Sequence, residues 1–290
     1  MRVFKKIDLH MHSTVSDGTN TPAEIFSLAK EKGLELFSLT DHDAVKGGKE
    51  ILDIISKEGD DRPGFITGVE FSCRDEEGSY HILGYGYDPS SPHIEKVVLS
   101  GHYLRMSKVT ARLDFIADNY GFVFSDEDRE YILNMDNPGK PHIGNMMVKY
   151  GYAKTKESAI KDYLNKVDFK HDFIRPGMAI RGILAAGGIP VLAHPSFGSG
   201  DQLVIGEDMD KRLRRLAEYG LKGVEAYYSV FTKKLTDEML SFAKKYDFYV
   251  TAGSDYHGKN KMIEMGDTGF FDAKNMEPGM LRFFEDVDIR

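Results

Sequence analysis

The residues of this chain whose types and spacing could do chemistry are its ten histidines and the carboxylates beside them. In Asp8-Leu9-His10-Met11-His12 two imidazoles stand two residues apart, and because side chains alternate along an extended chain they project to the same side. Such a pair can grip one metal ion. Asp17 follows in the turn Ser16-Asp17-Gly18, and Thr40-Asp41-His42-Asp43 comes directly after the apolar Leu36-Phe37-Ser38-Leu39. Further along stand Glu70 in Gly68-Val69-Glu70-Phe71, His81 in Tyr80-His81-Ile82, His194 in Leu192-Ala193-His194-Pro195, and Asp255 and His257 in Gly253-Ser254-Asp255-Tyr256-His257. Taken singly, each has a plain structural explanation: an N-cap, a hydrogen-bonded core histidine, a turn before proline. Together, six histidines and three carboxylates at the ends of successive apolar runs point to one metal site, because burying such clusters without partners would be costly. Cys73 is the one cysteine, so no thiolate cage is possible and any metal must use imidazole and carboxylate. Cys73 itself reads as a small buried side chain.

These groups need elements to carry them. Seven β-rich runs can be marked, at 3–9, 34–39, 65–71, 80–85, 189–193, 223–228 and 248–252. Helical patterns lie between many of them. The clearest begins Thr21-Pro22-Ala23-Glu24, with Thr at the N-cap, Pro at the first helical position and Glu at the third. It should run to about Lys32, with Gly33 as the stop. Alternating strands and helices predict parallel strands joined by crossovers, hence a doubly wound sheet or a barrel, whose chemistry would sit at the C-terminal strand ends. Between 92 and 170 helical patterns dominate. Ile94, Val97, Val98, Leu104, Val109, Leu113, Ile116 and Tyr120 recur at three- and four-residue steps as one buried stripe, and shorter helices are expected at 125–134, 143–150 and 155–164. This is read as an α-helical insertion between the fourth and fifth strands, lying over the active end and carrying specificity. The alternative is a helical subdomain that only adds stability. The stretch 198–206 reads as a flexible surface loop, and Lys211-Arg212-Leu213-Arg214-Arg215 as the solvated face of a helix.

Composition narrows the setting. With 290 residues, 41% hydrophobic and 29% charged, the chain is ordinary globular protein, which removes disorder and coiled coil. A formal charge of −8 argues against a surface built to grip long nucleic acid, so an anionic substrate must be held locally. No apolar stretch approaches the roughly 20 residues a bilayer needs, and Ile7-Asp8-Leu9-His10 is no signal-peptide core. One cysteine suits a reducing compartment, so the cytoplasm is expected. Oligomeric state is not legible.

In their order DLHMHS with SDG, TDHD, GVE, HILGY, VLAHP and GSDYH, which cover 7–86 and 188–258, the chain resembles the PHP (polymerase and histidinol phosphatase) family of metal-dependent phosphoesterases. GKPHI at 139–143 is similar to the insertion of the branch acting on 3′,5′-nucleoside bisphosphates and on short RNA from the 5′ end. The resemblance implies an α/β fold, a distorted (β/α)7 barrel formed by 1–91 and 171–290, with 92–170 as an α-helical substrate cap. It implies three divalent ions, manganese, iron or zinc: His10, His12, Glu70 and Asp255 on the first, Asp17, His42 and His257 on the second, Glu70, His81 and His194 on the third. Asp8, Asp41 and Asp43 would orient imidazoles. Three ions against three carboxylates leave a formal surplus of about +3, or about +2 with a bound hydroxide, which suits a phosphomonoester dianion. The implied reaction is in-line attack by a metal-bridging hydroxide, with no covalent enzyme intermediate.

Arg105 and Lys108 on the long helix, with Lys140 and His142 in the Gly-Lys-Pro-His segment, could hold a second phosphate. The branch usually carries Arg where Lys140 stands, so a bidentate fork is lost and a cation kept. His171 and Arg175 could also face the site, and His93 and His102 read as surface residues. The expected partner is a small phosphorylated substrate, a nucleotide or short oligonucleotide. Rival readings are a histidinol-phosphate phosphatase, an amidohydrolase-type metalloenzyme and a non-catalytic, metal-stabilised binding module. The spacing of Glu70 to His81, and Asp17 after the paired histidines, favour the phosphatase pattern.

Overall fold

The computed structural model describes residues 3–59, 61–135, 138–167, 169, 173–197, 203–271 and 276–290. Seven strands form one mixed sheet in chain order: β1 (Ile7–Asp8), β2 (Leu36–Leu39), β3 (Gly64–Asp75), β4 (Gly78–Tyr85), β5 (Ile189–Leu192), β6 (Gly223–Tyr228) and β7 (Tyr249–Gly253). The first and last strands meet through Leu9 N–H donating to the Ala252 carbonyl at 3.0 Å, and the loops beyond them continue the seam with Asp255 N–H to the His10 carbonyl at 2.8 Å. The sheet is thereby nearly closed into a barrel.

All pairings are parallel except those of β4, which runs antiparallel to both β3 and β5. This corrects the expectation of parallel strands throughout: Asp75-Glu76-Glu77-Gly78 turns the chain straight back as a hairpin, so no crossover separates β3 from β4. The reversal matters for the site. His81 lies in the N-terminal half of β4, and only because that strand is reversed does this half stand beside the C-terminal ends of its neighbours.

Helices wrap the sheet in two apolar clusters. α1 (Pro22–Glu31) and α2 (Lys46–Ile55) bury Ile25, Phe26, Ala29 and Ile51 with Phe37 and Phe65. α7 (Pro176–Ala185), α8 (Gly206–Glu218), α9 (Lys233–Tyr246) and α10 (Pro278–Asp286) bury Ile180, Ile183, Leu213, Met239, Phe283 and Phe284 against β4 to β7. The Thr21 capping box forms as its sequence predicts, and the chain leaves α1 through Gly33 at φ +66°.

The long helical stripe is α3 (Pro92–Tyr120), and it changes partners midway. Ile94 and Val97 belong to the barrel core, whereas Val109, Leu113 and Ile116 join a third cluster with Ile132, Ile143, Met147 and Ala159 from α4 (Asp126–Leu133), α5 (Lys140–Lys149) and α6 (Lys156–Asp162). At the crossover point Gly101 lets the helix lie on the barrel, since a Cβ there would stand 2.9 Å from Ile174 and 3.1 Å from Asp43. α5 starts three residues before the expected 143: Pro141 sits in its first turn, where the missing N–H is no loss, so Lys140 and His142 are helical. Among the described residues no helix is long and apolar enough to cross a membrane.

Asp8 locks the seam. Fully buried, it accepts from Ser254 N–H at 3.0 Å, Ser254 Oγ at 2.6 Å and Gly266 N–H at 2.7 Å, and burial, only partly offset by these donors, pushes its pKa up to about 6. Asp8→Ala leaves these donors without an acceptor and should lower unfolding free energy by about 3 kcal/mol or more, measured by urea denaturation, with Asp8→Asn losing less.

Candidate metal centre

Each of the nine candidate groups comes to the same end of the barrel. His10 and His12 leave β1, His42 follows β2, Glu70 is in β3 and His81 in β4, His194 follows β5, and Asp255 and His257 follow β7, while Asp17 hangs from the loop after His12. The β3–β4 register pairs Ser72 with His81, making Glu70 a diagonal neighbour on the same face.

Glu70 is the hub, with no exposed surface. Its Oε2 lies 3.1 Å from His42 Nδ1, 3.2 Å from His12 Nε2 and 3.3 Å from His10 Nε2, and its Oε1 lies 2.9 Å from His81 Nδ1 and 3.2 Å from His194 Nε2. Asp255 Oδ1 stands 3.4 Å from His12 Nε2 and 3.6 Å from His10 Nε2, and Asp17 Oδ1 is 3.2 Å from His257 Nε2. Despite this crowding, and although each of these atoms is itself buried, His10 Nε2, His12 Nε2, His81 Nδ1, Glu70 Oε2 and Asp17 Oδ1 make no hydrogen bond of acceptable geometry. Buried polar atoms are nearly always satisfied, and these are turned toward shared points rather than at one another, as metal ligands are. Ligand atoms lie within 4.8 Å of one another in three overlapping groups: His12, Asp17, His42 and His257; His10, His12 and Glu70; His42, Glu70 and His81.

The electrostatics agree. Burial would raise Glu70, Asp17 and Asp255, yet the surrounding imidazoles, and Lys261 for Asp255, hold all three carboxyls well below their usual range. Burial would lower His12, but Asp255 and Glu70 push it up to about 9. The centre is a block of fixed negative charge answered by imidazoles.

What aims these side chains was only partly foreseen. Glu225 on β6, fully buried, takes His10 Nδ1 at 2.9 Å on one oxygen and His194 N–H at 2.7 Å on the other. With Nδ1 engaged, His10 presents Nε2 to the centre. The lone acid in the apolar strand Gly223-Val224-Glu225-Ala226 was the available signal. Asp255 Oδ2 accepts from Tyr228 Oη at 2.9 Å and Lys261 Nζ at 2.5 Å, leaving Oδ1 for the centre. Asp8, Asp41 and Asp43, expected to orient imidazoles, make no direct hydrogen bond to a ring. Asp41 accepts from Ser13 N–H, Ser13 Oγ and Ser16 Oγ at 2.7, 2.8 and 2.7 Å, fixing the loop that delivers Asp17. Asp43 accepts from Ser72 N–H at 3.0 Å and pairs with Arg105. Asp43, His194 and Asp255 all adopt positive φ, strain that the surrounding bonds impose at this site.

Beside His81 opens a cleft of about 360 Å³ walled by Arg74, Arg105, Lys108, Arg112 and Lys140. Arg105 is steadied by Asp43 and Ser72, Lys140 by Asn165 Oδ1 at 2.9 Å, and Lys108 lies 3.7 Å from the centre of the Phe173 ring. Burial, followed by the charge of Arg105, pushes Arg112 down to about 10, and burial followed by Arg112 lowers Lys140. These cations crowd one another. Arg105 and Lys140 therefore stand together as expected, whereas His142 lines the neighbouring cleft. Arg175 instead pairs with Glu76 at 2.6 Å, His93 and His102 are exposed, and His171 lies outside the described residues, as do 198–202 of the expected loop. In the basic run Lys211 and Arg214 pair with acids on their own helix, but Arg212 and Arg215 lie over the Tyr80 ring rather than in solvent. Cys73 is buried, which pushes its thiol pKa up and makes it a poor nucleophile.

A PHP domain model matches residues 8–168. The chain is 30% identical to a 5′-3′ exoribonuclease of Haemophilus influenzae, over 90% of this chain and 93% of the relative. It is 29% identical to a 3′,5′-nucleoside bisphosphate phosphatase of Chromobacterium violaceum, over 87% of each. To a phosphoribosyl 1,2-cyclic phosphate 1,2-diphosphodiesterase of Eggerthella lenta it is also 29% identical, over 87% of this chain and 94% of that one. A solved structure from Bifidobacterium adolescentis, described as a candidate metal-dependent phosphoesterase, superposes with a TM-score of 0.80 at 25% identity, covering 97% of this chain and 96% of the other.

Because Glu225 fixes His10 and the backbone of His194 together, Glu225→Gln should weaken divalent-metal binding roughly 10- to 100-fold, read by metal content after dialysis against graded chelator.

Proposed function

From the premise that this chain belongs to the PHP family and is a metal-dependent phosphoesterase, we propose that its substrate is a ribose phosphate bearing two phosphate groups, most specifically a nucleoside 3′,5′-bisphosphate or a 5′-phosphorylated short RNA end, cleaved at the 3′-phosphate. The observation that carries this reading is the cationic cleft opening at His81, directly beside the metal centre. A substrate with a single phosphate would leave it unused. The names of two relatives support it, since a nucleoside bisphosphate and a phosphoribosyl cyclic phosphate each join a ribose to two phosphate functions.

We assign three divalent ions, manganese, iron or zinc, to His10, His12, Glu70 and Asp255, to Asp17, His42 and His257, and to Glu70, His81 and His194. The orphaned buried atoms and the all-nitrogen-and-oxygen donor set fit such ions. Bound there, they supply an acidified water as nucleophile and neutralise the phosphoryl oxygens. The chain's own residues do the rest. Glu70 offers one oxygen to each of two positions, and Asp255, held by Tyr228 and Lys261, offers a single one. Arg105, fixed by Asp43, and Lys140 and Arg112 hold the distal phosphate, so the ester is located at both ends before it is cut. Residues 92–170 act as the substrate cap, since they supply Arg105, Lys108, Arg112 and Lys140. The lone buried thiol suits a reducing cytoplasm, where we place the enzyme.

Metal-reconstituted protein should release phosphate from adenosine 3′,5′-bisphosphate in preference to histidinol phosphate, and the opposite preference would overturn the substrate reading. Arg112→Ala should raise KM for the bisphosphate about tenfold or more, as loss of a charge-assisted contact does, and raise it far less for adenosine 3′-monophosphate.

A further inference from the structure

A nucleoside 3′,5′-bisphosphate has three arms, two phosphates and a base, and the metal centre and cationic cleft engage only the phosphates. A second cleft, of about 560 Å³, lies on the other side of the first turn of α5. Gly139 and Lys140 line the cationic cleft while His142 lines this one, as expected for residues 140 and 142, which point some 200° apart on a helix. One wall is the loop that carries Asp17, contributing Thr14, Ser16 and Gly18, and the other is Tyr131, Asn134 and Met135 at the end of α4. His81 itself lines the cationic cleft, whereas this cleft is lined by Ser16 and Gly18, the two neighbours of Asp17, and so lies beside the loop that carries Asp17.

The two clefts differ in chemistry. Among the described residues, no lysine, arginine or acid lines the second one. His142 Nδ1 accepts from Gly139 N–H at 3.0 Å, which places its proton on Nε2 as an outward donor, and burial favours the neutral ring. Tyr131 is 61% exposed, a flat ring left uncovered at the cleft wall while its neighbour Ile132 is buried. Asn134 offers both a donor and an acceptor, and Met135 a soft, polarizable thioether. Among the described residues the lining is uncharged, and an exposed aromatic ring, an amide and an imidazole donor suit an uncharged planar heterocycle better than a phosphate dianion, for which this lining supplies no cation.

We infer that this cleft holds the base of the substrate, with the Tyr131 ring stacked on its face. The inference rests on the two-phosphate reading above and narrows it to nucleotides, excluding base-free sugar phosphates.

The test is calorimetric titration of the metal-loaded full chain with adenosine 5′-monophosphate and with ribose 5-phosphate. The nucleotide should bind roughly tenfold to hundredfold more tightly, the range that base stacking on an aromatic side chain supplies. Tyr131→Ala should remove most of that advantage and Tyr131→Phe should keep it. The fluorescence of 2-aminopurine riboside 5′-monophosphate should be quenched on binding the unaltered protein and Tyr131→Phe, but not Tyr131→Ala. Equal affinity for the two ligands, no binding of either, or a preference that survives Tyr131→Ala would overturn the assignment. If the bisphosphate is hydrolysed while the two ligands bind equally, only this inference is lost. If the nucleotide is preferred while no bisphosphate is cleaved, the base site stands and the proposed reaction is lost.

Discussion

A carboxylate with no access to water, Glu70, is the constraint around which this molecule is arranged. Burying an ionised carboxyl without compensation is prohibitive, and here the compensation comes from five imidazoles contributed by four separate segments. His10 and His194 are 184 residues apart in sequence and meet at one side chain, so the barrel must be complete before the charge at its centre is tolerable. The reversed β4 and the Asp8-locked seam between β1 and β7 are the two devices that complete it. The first brings His81 to the right end, the second brings Asp255 and His257 to His10 and His12.

Such a centre opposes stability. Positive φ at Asp43, His194 and Asp255, together with the unsatisfied nitrogens and oxygens, represent free energy withheld from folding and kept for function. The three apolar clusters offset it. Their distribution follows the division of labour: two hold the barrel that aims the ligands, and the third holds the helices whose basic residues face the cleft. α3 belongs to both, and Gly101, at the change of partner, brings it against Asp43, so that one turn later Arg105 reaches Asp43 in the loop that follows β2.

The candidate ligands were legible because their types are rare at the end of an apolar run, and the seven strands because their β-rich runs are bounded by polar turns. Strand β6 matches its expected span, and β1 is shorter than expected because Lys5 and Lys6 are exposed. The direction of β4 was not legible, since Asp75-Glu76-Glu77-Gly78 lacks the asparagine-glycine or aspartate-glycine pair that marks a tight hairpin. Glu225 was missed because its partner His10 is 215 residues away, and one acid in a strand has no local periodicity to betray it. Asp41 and Asp43 reach no ring directly: Asp41 holds Ser16 Oγ, which in turn stands 3.4 Å from His12 Nδ1, and Asp43 takes the Ser72 N–H and Arg105, because short carboxylates find backbone N–H groups, hydroxyls and an arginine first. The basic wall at Arg74 and Arg112 was invisible for the same reason as Glu225, because one residue comes from β3 and the other from α3.

The most direct test of the central claim is anomalous diffraction from crystals of the full chain soaked in manganese. Peaks should lie enclosed by the nine side chains from His10 to His257, with one oxygen of Glu70 facing each of two of them. Manganese bound only elsewhere, with Glu70 hydrogen-bonded to imidazoles at a metal-free centre, would contradict it.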